Sequence, residues 1–264
     1  MIWFRDLNPI LQALIATTFT WGITLLGALV VCFFKEVNKK ALNTILGFSA
    51  GVMIAASFWS LLLPSIELSE ELGYIAWGLP ALGFILGGLF VLLSDKFLDK
   101  TLSDKNSIKK DSLKRSILLV SAITLHNIPE GMSIGVAFGG ISSGVSGMTL
   151  IGAIMLAVGI GIQNFPEGAA VSLPLRKEGF SRKKSFFIGQ ASALVEPISA
   201  VIGVILVLAV RSILPILLSF AAGAMITVAS RELLPESISE NKNLSTLGLI
   251  SGFVLMMVLD VALG

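Results

Sequence analysis

Cysteine and histidine are almost missing from this sequence: Cys32 is the only cysteine and His126 the only histidine in 264 residues. A single cysteine excludes disulfides within the chain and zinc sites built from cysteine clusters. A single histidine excludes the His-Glu-x-x-His metalloprotease pattern, so any metal chemistry must rest mainly on carboxylates and amides. Charge is scarce too, at 14% of residues against a hydrophobic share of 55%, and the mean hydropathy is +0.90. No soluble domain of this size has that composition. Long apolar runs recur throughout, which excludes a signal peptide leading a soluble domain. The net charge of +2 gives no ground for a nucleic-acid partner, because the basic residues sit between the apolar runs.

A helix needs about 20 apolar residues to cross roughly 30 Å of hydrocarbon, and runs of that length are too long for barrel strands. The sequence therefore predicts an all-α integral membrane protein with eight transmembrane helices, near 9–34, 41–63, 73–93, 115–139, 147–174, 185–210, 213–235 and 244–263. Residues 1–264 form a single transmembrane domain, with a polar, lysine-rich segment at about 94–112 expected as a flexible cytoplasmic loop. Eight spans put both termini on one side. With that side outside the cytoplasm, 16 of the 19 basic residues fall in inner loops and only Arg5 and Arg211 outside, with Arg231 in or near a span. This asymmetry predicts a multi-pass protein of the cell (inner or plasma) membrane with both termini outside. The expected outer loop between spans 2 and 3 is acidic, holding Glu67, Glu70 and Glu71.

Two internal repeats stand out. Span 4 contains His126-Asn127-Ile128-Pro129-Glu130-Gly131 and span 5 contains Gln163-Asn164-Phe165-Pro166-Glu167-Gly168. Consecutive spans run in opposite directions, so the copies face each other antiparallel. Phe48 to Ile54 in span 2 is echoed by Phe220 to Ile226 in span 7, each followed by Leu-Leu-Pro. The prediction is an inverted repeat, with spans 1–3 and 6–8 around the central pair 4–5, as in secondary transporters that bind substrate near the midplane.

Glu130, Glu167, Glu196 and Asp260 fall inside apolar spans, where a charge costs at least about 2.5–3.5 kcal/mol and marks a functional site by default. His126 and Glu130 are four residues apart, as are Gln163 and Glu167, so each pair shares one helix face. Pro129 and Pro166 lack the amide that would bond the carbonyls of Leu125 and Ile162, which predicts a kink beside each carboxylate. Glu196 precedes Pro197 in the same way. Facing copies pool two glutamates, one imidazole and the amides of Gln163, Asn127 and Asn164, and a divalent cation is the simplest thing to hold such carboxylates together. Imidazole with carboxylate suits zinc, iron(II), manganese, cobalt or nickel, while calcium and magnesium prefer oxygen alone. Met53 and Met225 read first as packing residues, with a thioether as a soft transient ligand the other reading. Ser57 and Ser60 are weaker candidates. Gly83-x-x-x-Gly87 fits packing either within the bundle or between the protomers of a homodimer.

With both Pro-Glu-Gly copies, Glu196-Pro197, Glu232-Leu-Leu-Pro-Glu236 and Leu259-Asp260 in view, the sequence resembles the ZIP (Zrt-, Irt-like protein) family of metal transporters, in its bacterial GufA-type branch. The resemblance runs from span 1 to span 8. It implies uptake of zinc, and of cadmium, iron(II) or manganese, into the cytoplasm without ATP, the ions being substrate and no catalytic cofactor being involved. It also implies a binuclear site. One ion would bind His126, Glu130, Gln163 and Glu167; a second would share both glutamates and add Asn127, Asn164 and Glu196. Met53 and Asp260 would lie where metal enters, and Glu232 on the cytoplasmic way out. Many members carry histidine at the position of Gln163, some bacterial ones aspartate at that of Asn164, and histidine often stands where Arg231 is. The rival classes are a metal-selective channel, an intramembrane metal-dependent enzyme and a structural or sensory bundle.

Overall fold

The computed structural model describes residues 2–33, 38–103, 108–144, 148–239 and 241–263. Among the described residues every regular element is a helix. In chain order they are α1 (Ile2–Arg5), α2 (Pro9–Phe33), α3 (Lys39–Ala56), α4 (Leu63–Glu71), α5 (Gly78–Ser103), α6 (Ile108–Ser142), α7 (Leu150–Lys177), α8 (Arg182–Ala191), α9 (Val195–Ala209), α10 (Leu214–Val228), α11 (Leu234–Ser237) and α12 (Lys242–Val258). Several long helices start at a side chain that accepts from their first turn. Asn38 takes the amides of Lys40 and Ala41, Thr149 that of Gly152, Ser181 that of Lys184, and Asn241 that of Leu244. Such caps satisfy amides that no earlier turn can reach.

Among the described residues six helices are long and apolar enough to cross a membrane: Pro9–Phe33, Lys40–Glu71, Leu150–Arg176, Arg182–Ala209, Leu214–Ser237 and Lys242–Ala262. The third and fourth expected spans fall on α5, whose apolar stretch Gly78–Ser94 is shorter, and on the 35-residue α6. Large apolar side chains face outward, as in Leu82, Ile85, Leu86, Leu89 and Leu93 of α5 and Ile198, Ile202 and Ile205 of α9. Asn127, Glu130, Gln163, Asn164, Glu167 and Glu196 are buried instead. Water would penalise that distribution and hydrocarbon favours it. The molecule is a multi-pass membrane protein.

Three spans are built differently from the sequence reading. Span 2 does not stop near residue 63, because a π-helical turn at Ser57–Leu62 leads into α4 with Pro64 in its first turn, where the missing amide costs nothing. Glu67, Glu70 and Glu71 consequently sit on a helix rather than in a loop. Span 7 does the same, with a π turn at Ala229–Leu233 and Pro235 opening α11. Span 6 is divided, α8 and α9 being separated at residues 192–194, just ahead of Glu196-Pro197. In the lysine-rich segment helical backbone runs to Ser103 and resumes at Ile108, on either side of residues 104–107, which lie outside the described residues.

Four helix pairs dominate the packing: α2 on α7, α6 on α9, α3 on α12 and α5 on α10. Bare glycines let the backbones meet. Gly83 and Gly87 lie against Ile216 and Phe220 of α10, so this small-residue face is used within the bundle. On the other pair Gly248 meets Thr44 and Gly252 meets Phe48, while Gly51 meets Leu249 as Gly223 meets Phe84. Three contacts of α3 with α12 map onto contacts of α10 with α5, with one shift for α12 onto α5 (Gly248, Leu249 and Gly252 onto Gly83, Phe84 and Gly87) and another for α3 onto α10 (Thr44, Phe48 and Gly51 onto Ile216, Phe220 and Gly223). The shift of α3 onto α10 also carries Ser57 onto Ala229, the first residues of the two π turns. Met53 and Met225, also related by it, are both buried in the main apolar cluster.

Candidate functional site

The two Pro-Glu-Gly copies lie on α6 and α7, both of which continue through their prolines. The glycine after each glutamate sets the surroundings. Gly131 lets the backbone of Glu196 on α9 come against α6, and Gly168 lets that of Thr24 on α2 come against α7. A Cβ at either position would run into a carbonyl oxygen. Small residues at such crossings draw membrane helices together. Glu196 is in the first turn of α9, where the helix dipole favours a carboxylate.

Side chains then tie four helices into one polar cluster. The Nε2 of Gln163 (α7) donates to Oε1 of Glu130 (α6). The Nδ2 of Asn164 (α7) donates to Oε1 of Glu196 (α9) at 2.9 Å, and the Thr20 hydroxyl (α2) donates to its Oε2. The Nδ2 of Asn127 (α6) donates to the Ser192 carbonyl at 3.0 Å, in the break before α9. Ser49 of α3 reaches the cluster from outside these four helices and donates to the Gln163 carbonyl at 3.2 Å. Glu167 is buried one turn beyond Gln163, and Glu130 and Glu167 both lie within Coulombic range of Glu196.

The amides direct their N–H groups to protein acceptors, while the carbonyl oxygens Asn127 Oδ1, Gln163 Oε1 and Asn164 Oδ1 have no hydrogen-bond partner among the described residues. Buried polar atoms are nearly always satisfied, so three such acceptors in one carboxylate-rich cluster are what a cation would be expected to complete. Among the described residues no three His, Cys, Asp or Glu side chains close into a metal-holding group. The side chain of His126 lies outside the described residues.

Three sequence candidates stand apart from the cluster. Asp260 accepts a 2.7 Å hydrogen bond from Ser60, and both line a cavity of about 240 Å³ together with Trp59, Met148, Thr149 and Leu156. Met53 is packed in the apolar core. Glu232 lies on the π turn of span 7, half-buried. The sequence reading missed Thr20. Its one signal was a hydroxyl stripe, Thr17, Thr20 and Thr24, at helical spacing in an otherwise apolar span, and all three are buried.

Membrane-crossing helices around a carboxylate and amide cluster define a polytopic membrane protein with a cation-suited interior. Residues 100–260 match the family model described as "ZIP Zinc transporter". The chain is 38% identical to "Zinc transporter ZIP11" of Homo sapiens, over 97% of its own length and 98% of that protein's. It is 34% identical to "Zinc transporter GufA" of Myxococcus xanthus over 95% and 98%, and 37% identical to "Zinc transporter ZIPB" of Bordetella bronchiseptica over 92% and 79%. The chain belongs to the ZIP family. Membership of a family of transport proteins sets aside the intramembrane enzyme.

Proposed function

We propose that this protein carries zinc, and with it cadmium, iron(II) and manganese, across the cell membrane into the cytoplasm through a binuclear site between α6 and α7. One ion is held by His126, Glu130, Gln163 and Glu167. The second shares Glu130 and Glu167 and is completed by Asn127, Asn164 and Glu196. The observation that carries this reading is the pairing of Gln163 with Glu130 and of Asn164 with Glu196, beside three amide oxygens with no donor. The amide N–H groups of Gln163 and Asn164 stand where positive charge is wanted. A metal that displaces them gains the carboxylates, and each amide turns its oxygen inward.

Eight spans with both termini outside follow if α5 and α6 cross the membrane together with the six apolar helices. The matched contacts of α3 with α12 and of α10 with α5 support an inverted repeat, because one register shift for α3 and one for α12 relate them. Under it α2 corresponds to α9 and α6 to α7, which accounts for the other two dominant pairs as well. The helices divide accordingly. One group, α2, α6, α7 and α9, holds the metal cluster; the other, α3, α5, α10 and α12, frames it. Elevator-like sliding of the first group against the second is the movement we favour. Asp260, with the cavity it shares with Ser60, lies on the inlet side and Met53 beside that route. Glu232 lies on the way out.

The test is uptake of zinc, cadmium, iron(II) and calcium by the purified protein in sealed liposomes, beside Glu167→Ala. Saturable entry of the transition metals, lost in the variant and without ionic conductance, is the expected result. Metal movement that Glu167→Ala leaves unchanged, or that proceeds as a steady conductance, would overturn the carrier reading.

A further inference from the structure

We propose that Thr20 is a positioning residue of the metal cluster, a hydroxyl that holds the Glu196 carboxylate by one oxygen so that its remaining lone pairs face the cation. The inference rests on the reading of the cluster as the metal site. Thr20 is fully buried on α2, and its Oγ1 has two acceptors within reach: Oε2 of Glu196, and the Thr17 carbonyl at 3.1 Å. A hydroxyl has one proton and two lone pairs, so it serves one acceptor at a time. Its neighbours on the same stripe behave differently. Thr17 bonds the Ala13 carbonyl at 2.7 Å and Thr24 the Thr20 carbonyl at 3.3 Å, both within α2. Of the three, Thr20 alone reaches another helix.

Glu196 accepts from Thr20 on one oxygen and from Asn164 on the other, and so is fixed from α2 and α7 at once. A carboxylate offers about four lone-pair sites, so one that accepts from Thr20 on Oε2 keeps others for a cation. Asn164 turns its amide to bring its oxygen in when the cation arrives. Thr20 keeps its proton on Oε2, because a charged carboxylate is a stronger acceptor than the Thr17 carbonyl. A ligand held by such an outer hydrogen bond presents its remaining lone pairs to the metal in a fixed direction.

The experiment measures zinc binding to the full-length protein in detergent by equilibrium dialysis, for wild type, Thr20→Val, Thr20→Ser and Glu130→Ala. Valine keeps the shape of threonine and loses the hydroxyl; serine keeps the hydroxyl. Groups that orient a ligand typically contribute 10–100-fold to metal affinity, so Thr20→Val is expected to bind zinc about 10–100-fold more weakly. In liposomes it should raise the zinc concentration for half-maximal uptake. Thr20→Ser should stay close to wild type, and the zinc-free melting temperature of Thr20→Val should be little changed. If Thr20→Val yields no folded protein, Thr20→Ala carries the same comparison. Wild-type affinity in Thr20→Val, or equal weakening in Thr20→Ser, overturns the inference while loss of binding in Glu130→Ala leaves the site reading standing. Wild-type binding by Glu130→Ala overturns the site reading itself.

Discussion

Substituting Gly87 by alanine tests how the bundle is held together. A Cβ at Gly87 would overlap the carbonyl of Phe220 and the amide of Ala224, all backbone atoms of α10. No rotamer change relieves such a clash, so α5 and α10 must separate along a stretch of their crossing. Overpacking of this kind costs roughly 1–3 kcal/mol. At about 2–4 °C per kcal/mol for a chain of this size, melting in detergent should fall by about 2–12 °C. Gly252→Ala is the matching perturbation in the other half, because its Cβ meets the Phe48 backbone of α3. The two losses should be similar. Gly22 provides the control, since a Cβ there has nothing within 4 Å, and Gly22→Ala should gain a few tenths to 1 kcal/mol from helix propensity. Gly159→Ala is intermediate, because the atom in the way is the flexible Met256 thioether. Thermal unfolding followed by monodispersity on size exclusion reads all four. If Gly87→Ala and Gly252→Ala melt with Gly22→Ala, the reasoning from backbone approach is wrong.

Two further outcomes are expected. Gln163→His puts an imidazole where an amide donates to Glu130, and should raise zinc affinity on the order of tenfold, about 1.4 kcal/mol, with a smaller gain for manganese; competition binding reads the ratio, and equal gains for both metals would count against Gln163 as a ligand. In a Cys32→Ala background, Glu70→Cys should react with an impermeant maleimide from outside the cell and Lys242→Cys only after permeabilisation; the reverse pattern would invert the proposed orientation.

The parts of the protein legible in its sequence are those where one residue's neighbours lie on its own helix. Spacing of four placed Gln163 and Glu167 on one face, and the matched motifs in spans 4 and 5 pointed to facing copies, which cross-helix bonds between α6, α7 and α9 now join. The Phe48 and Phe220 segments likewise announced the shared register of α3 and α10. What periodicity could not reach depends on the backbone or on another helix. The sequence offered Leu-Leu-Pro as the end of spans 2 and 7, yet a π turn adds the slack that lets each helix run through its proline. Glu67, Glu70 and Glu71 therefore changed from loop to helix. Thr20 is hard to single out for a different reason. A hydroxyl in an apolar span ordinarily bonds its own helix, as Thr17 and Thr24 do, and only the approach of α9 gives Thr20 a carboxylate to serve.

The central claim is that metal is bound between the two Pro-Glu-Gly copies. Anomalous diffraction at the zinc edge, from crystals of the protein grown with zinc, tests it most directly. The account predicts zinc peaks between α6 and α7 at about 2.0–2.2 Å from carboxylate oxygens of both Glu130 and Glu167. Zinc found only beside Asp260, or anywhere that leaves Glu130 and Glu167 without metal, would contradict it.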